Sequence, residues 1–145
     1  MCVSPIEILL VEDNPGDARL AREALAGSKL KLQIHEVNDG EAAIAFIQRK
    51  CPYHDMPRPD LILLDLNLPK KDGREVLTEI KSCPEFQHIP VVVLTSSKAE
   101  EDILRAYKLH ANCYITKPID LQQLQRVVTQ IQEFWFTIVK LPVER

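Results

Sequence analysis

The chain has 145 residues, 46% of them hydrophobic and 27% charged, with a formal net charge of −3. That length and composition suit one globular domain with a core of its own. They give no electrostatic reason to expect nucleic-acid binding, and no run of about 18 apolar residues is present to span a membrane.

The amino terminus, MCVSPIEILLVED, has no basic region and reaches acid soon after its apolar run, so it does not read as a signal peptide. IEILLV (6–11) is too short and aliphatic for a surface helix and reads as a buried strand. Asn14-Pro15 then offers a helix cap and a first-turn proline, and Leu20, Ala21, Ala24 and Leu25 give that helix an apolar face. KLQIHEV (31–37) alternates as a half-buried or edge strand should. Asp39-Gly40 reads as a turn before a helix over 41–48, and the proline-rich stretch 51–60 reads as a loop.

LILLD (61–65) and VVVLT (91–95) are the third and fourth strands, with a helix over 74–81 between them. A helix over 97–110, a short strand CYIT (113–116) and a helix from about 119 to beyond 136 complete the pattern. Five strands alternating with five helices imply an α/β domain, a doubly wound parallel sheet covered on both faces. Neither repeat, low-complexity tract nor linker interrupts it. The four cysteines (Cys2, Cys51, Cys83, Cys113) and four histidines (His35, His54, His88, His110) are scattered. They suggest neither a disulfide framework nor a metal cluster, and the expected compartment is the reducing cytoplasm. The histidines read as surface or satisfied structural residues.

In open parallel sheets chemistry gathers at the carboxyl ends of the strands. Those ends carry Glu12-Asp13, Asp65, Thr95 and Lys117. Singly, each has a plain reading: a carboxylate caps a helix or a turn, and Lys117-Pro118 is a turn. Together they suggest a site. Crowded carboxylates repel, and a hard divalent cation such as Mg2+ resolves the conflict. Asp13 and Asp65 would ligate it directly, Glu12 through water, and Asn67 through its main-chain carbonyl. Asp65 would then attack a phosphoryl group, with Lys117 and the Thr95 hydroxyl contacting its oxygens.

The stretches LVEDN (10–14), LLDLNLPKKDG (63–73), VVLTSS (92–97) and CYITKP (113–118) resemble the receiver domain of two-component response regulators over about residues 5–135. The resemblance implies a flavodoxin-like sheet in strand order 2-1-3-4-5 and a phosphoryl group passed from a histidine kinase to Asp65. It makes Glu12, Asp13, Asp65 and Asn67 the Mg2+ (or Mn2+) ligands and Thr95, Ser96 and Lys117 the phosphoryl contacts. It also implies a Thr95/Tyr114 switch, a cis Lys117–Pro118 bond, and a signalling protein that is not an enzyme on other substrates.

No output domain is expected before Arg145. The aromatic run Phe134, Trp135, Phe136 reads either as a helix end folded back or as a partner surface. The tail, the prolyl loop and NLPKKDGREVL further resemble regulators paired with cyanobacterial phytochromes. That implies a light-regulated histidine kinase partner and a homodimer through the fourth helix, fifth strand, fifth helix and tail, with Tyr107, Tyr114, Phe134, Trp135 and Phe136 on its surface. Neither DNA nor membrane is an expected partner. Among rival readings, a haloacid-dehalogenase-type phosphatase needs a second aspartate where Asn67 stands. A flavodoxin-like carrier would not have the acidic VEDNPGDA (11–18) beside a flavin phosphate. A non-phosphorylated pseudo-receiver, acting only as an interaction module, is the stronger alternative.

Overall fold

Ile6–Val11 forms strand β1, followed by helix α1 (Pro15–Ala26), β2 (Leu32–Val37) and α2 (Gly40–Ile47). The chain continues through β3 (Leu61–Asp65), α3 (Gly73–Ser82), β4 (Val91–Thr95), β5 (Cys113–Thr116) and α4 (Leu121–Phe134). This computed structural model describes residues 5–27, 31–95, 113–117 and 120–134. The helix expected over 97–110 lies outside the described residues, as do Ser96, Tyr107, Pro118, Trp135 and Phe136.

The five strands lie in the order β2-β1-β3-β4-β5, all parallel, as expected. The period of two along each strand divides the core between the faces. Leu9, Val11, Ile62 and Leu64 join Phe46, Val76, Leu77 and Ile80 beneath α2 and α3. Ile8, Leu10, Leu61 and Leu63 join Ala21, Leu25 and Leu124 beneath α1 and α4. Every residue of β3 is buried, which explains its unbroken aliphatic run. Each fully buried leucine or isoleucine contributes about 1.5–3 kcal/mol, so β3 is held rigidly in position. Edge strand β2 is only partly covered. His35 there is satisfied as expected: its Nε2 lies 2.7 Å from Glu7 Oε1 and its ring rests near Phe46.

Side-chain caps build the helix starts among the described residues. Asn14 Oδ1 accepts from Asp17 N, with Pro15 in the first turn as expected. Asp72 accepts from Arg74 N, while its own N–H donates to Glu75 Oε1. The start of α2 corrects the sequence reading. Asp39-Gly40 is not a turn ahead of α2; Asp39 caps the helix by accepting from Ala42 N at 2.7 Å, and Gly40 is its first residue. The same dipeptide serves both purposes because Asp accepts locally bonded amides in either.

Candidate functional site: a carboxylate cluster at the strand ends

Glu12 and Asp13 follow β1 directly, and Asp65 ends the neighbouring strand β3. Their carboxylates each offer one oxygen, all within 4.8 Å of one another. Glu12 and Asp65 are buried, and Asp13 stands exposed at the open side. The Asn67 N–H donates to Asp65 Oδ1 at 3.1 Å, and the Asn14 N–H donates to Glu12 Oε2 at 3.2 Å.

Lys117, just beyond β5, brings its ammonium into this cluster. Its Nζ lies 3.1 Å from Asp65 Oδ2, 3.1 Å from both Glu12 oxygens and 2.9 Å from Asp17 Oδ2. Burial disfavours the charged amine, but Asp17, Asp65 and Glu12 outweigh it and raise the Lys117 pKa. One ammonium still faces three carboxylates. Burial, then the proximity and charge of Asp65, push the Glu12 pKa up to about 8, and Lys117 only partly offsets them.

Glu12 Oε1, though close to Lys117 Nζ, accepts no hydrogen bond among the described residues. A buried carboxylate oxygen in that condition needs either a proton or a cation. The donor set consists of hard oxygens, with two carboxylates inside and one at the mouth. These residues fit a divalent cation.

Thr95 closes β4 beside the Asp65 strand, the main-chain register pairing Asp65 with Leu94 and Thr95 with Thr116. Half-buried Tyr114 pairs with Val93 and packs against the core beneath α2 and α3. The structure thus brings Glu12, Asp13, Asp65 and Lys117 together and places the Asn67 amide on Asp65. The expected cis Lys117–Pro118 bond falls outside the described residues, and a cis bond is found at Cys51–Pro52. Phe134 is the last described residue of α4.

Two residues of the site were not anticipated. Asp17 reaches Lys117 from the first turn of α1; its spacing of four from Asp13 is the only hint in the sequence. Gly73 opens α3 so close to β3 that a β-carbon there would lie 2.5 Å from the Asp65 carbonyl oxygen and from Leu66 Cα. A cavity of about 250 Å³ between α2 and α3, lined by Ile44, Ile47, Ile80 and Phe86 among others, contains none of the clustered carboxylates.

Residues 8–129 match the family model of the response regulator receiver domain. The response regulator Rcp1 of Synechocystis sp. (strain PCC 6803) is 52% identical over 138 residues, which cover 95% of this chain and 94% of Rcp1. The crystal structure of the phosphorylated cyanobacterial phytochrome response regulator RcpA superposes with a TM-score of 0.78 at 54% identity, covering 92% of this chain and 95% of RcpA. The Mn2+-bound form of Rcp1 gives 0.77 at 53% identity, covering 90% and 94%. The chain therefore belongs to the response regulator receiver domain family, with the strand-end carboxylates and lysine as its candidate site.

Proposed function

We propose that Asp65 accepts a phosphoryl group from a phosphohistidine of a sensor kinase, in a single receiver unit whose core spans about residues 5–135. One observation carries this reading: Asp65 is 1% exposed at a strand end, with Oδ1 fixed by the Asn67 N–H and Oδ2 at 3.1 Å from Lys117. A nucleophile held on both sides needs little reorganisation before attack.

Glu12, Asp13, Asp65 and the Asn67 carbonyl would hold Mg2+ or Mn2+; bound there, the cation neutralises carboxylates and incoming phosphoryl oxygens. A carboxylate oxygen of Asp65 forms the new P–O bond as the P–N bond to the kinase imidazole breaks. The imidazole leaves with the electron pair and takes up a proton. Lys117 supplies a fixed positive charge for the transferred oxygens. Asn67, lacking an acidic proton, leaves the product without a general acid at that position. Thr95 and Ser96 would donate to the phosphoryl oxygens, and Tyr114 would follow Thr95 as the switch. The resemblance to RcpA, a cyanobacterial phytochrome response regulator, supports a phytochrome-type kinase partner; a cytoplasmic location and a homodimer through the surface around β5 and α4 belong to the same proposal.

Incubation with acetyl phosphate, with and without Mg2+, followed by intact mass tests the central step. Wild type gains one phosphoryl mass with the cation and Asp65→Asn gains none. Equal labelling of the two proteins overturns the assignment. Sedimentation equilibrium tests the dimer, which a monomer at tens of micromolar in both phosphorylation states would remove.

A further inference from the structure

Of the three carboxylates around Lys117, Asp17 alone has no task in the phosphoryl transfer described above. An ammonium has three hydrogens to donate, and here they face Glu12, Asp65 and Asp17. A phosphoryl group on Asp65 presents new oxygens that need one of those donors. Glu12 is the harder partner to displace, because its side chain is 0% exposed and water cannot replace the lysine there. The Asp17 side chain is 23% exposed and can exchange Lys117 for solvent. It is also firmly placed: the Asn14 cap holds the Asp17 N–H, and α1 is anchored by buried Ala18, Ala21, Ala24 and Leu25.

We propose that Asp17 is a positioning residue that holds Lys117 in the resting protein and is displaced from it by the phosphoryl group, so that it restrains the loading of Asp65. This rests on the phosphoacceptor reading of Asp65. Two effects act in the same direction. Asp17 occupies a donor that the phosphoryl oxygens require, and its charge opposes the entry of a further anion of about −1.5 to −2. The plain alternative is an acidic residue in a first helical turn that merely complements the helix dipole.

The test compares loading time courses with acetyl phosphate and saturating Mg2+, read by intact mass. Asp17→Asn should load roughly two- to ten-fold faster than wild type, in keeping with a partly exposed ion pair. Asp17→Ser should do the same, and Asp17→Glu should return the rate toward wild type. In a Lys117→Gln background, Asp17→Asn should bring a clearly smaller acceleration, because only the charge effect remains once the lysine is gone. Metal-free melting of the four proteins of that cycle should show coupling between positions 17 and 117. Wild-type rates in Asp17→Asn and Asp17→Ser, or an equal acceleration without Lys117, overturn the proposal while leaving the phosphoacceptor reading intact. A wild-type protein that does not load overturns both.

Discussion

Gly73 and Asp65 touch back to back: a β-carbon at position 73 would stand 2.5 Å from the Asp65 carbonyl oxygen. The Gly73 N–H also donates to Leu66 O at 3.0 Å, so the start of α3 is clamped to the segment that carries the phosphoacceptor. The obstacle is backbone, which cannot swing aside as a side chain can. Gly73→Ala should therefore destabilise the protein by about 1–3 kcal/mol, the usual range for overpacking, and slow the labelling of Asp65 in the fraction that remains folded. Gly27→Ala is the matched control. Its β-carbon would crowd only the end of the flexible Gln125 side chain, with Ala24 O at an ordinary 3.6 Å, and Gly27 has φ −79, which alanine adopts freely. It should be neutral or stabilising by up to about 1 kcal/mol. Equal melting temperatures for Gly73→Ala and wild type would contradict the clamp.

Removing one carboxylate from the cluster should stabilise the protein when no divalent cation is present. Asp65→Asn keeps the size of the side chain and relieves its repulsion of buried Glu12, while Lys117 retains Glu12 and Asp17. A gain of about 1 kcal/mol corresponds to a rise of roughly 3–5 °C for a chain of this length. Adding Mg2+ should then raise the melting temperature of wild type more than that of Asp65→Asn. Scanning calorimetry in chelator and in Mg2+ decides; a lower melting temperature for the metal-free variant would refute the repulsion argument.

The raised Glu12 pKa sets the sign of the pH dependence. Unfolded, this glutamate has the ordinary value of 4.5; folded without metal, it titrates near 8. Between those values the folded protein holds a proton that the unfolded chain has released. Glu12's contribution therefore declines as pH rises through this window and is fully lost above about 8. A cation competes with that proton, so stabilisation by Mg2+ should grow over the same interval. Denaturant melts of wild type and Glu12→Gln, in chelator, isolate the effect. The difference between them should move in favour of Glu12→Gln as pH rises from about 5 to 8. A constant difference would show that Glu12 does not carry it.

The fold was legible because a parallel strand buried on both faces must be aliphatic throughout, and LILLD and VVVLT have no competing helical reading. Asp65 was legible for the same reason: a carboxylate ending such a strand sits at the sheet edge where the others converge. Asp17 was not. Its partner lies 100 positions further along the chain, and only the packing of α1 beside α4 on one face of the sheet brings them together. Gly40 was misread because Asp-Gly describes a turn and a capped helix start equally well. What separates them is that Asp39 accepts from Ala42 N, while the nearness of Lys71 explains the glycine. Gly73 was visible only as the end of the LLDLNLPKKDG stretch, whereas its missing side chain matters for what stands behind it.

Gly40 also yields a prediction about the loop that follows Asp65. A β-carbon there would lie 2.7 Å from both the carbonyl carbon and the Cβ of Lys71, and closer still to the carbonyl oxygen. The Gly40 N–H points at Pro69 O at 3.5 Å, and Lys70, held at φ 69, reaches Asp39 at 3.7 Å. The start of α2 is thus a buttress for residues 69–71. Asp39→Ala removes only the cap and an exposed ion pair, and should cost about 1 kcal/mol with little change in labelling of Asp65. Gly40→Ala must move the backbone of the loop. It should destabilise by more than Asp39→Ala and should speed amide exchange at Lys71 and Gly73, whose N–H groups bond within this segment. Exchange rates at those two amides unchanged from wild type in folded Gly40→Ala would show that α2 does not support the loop.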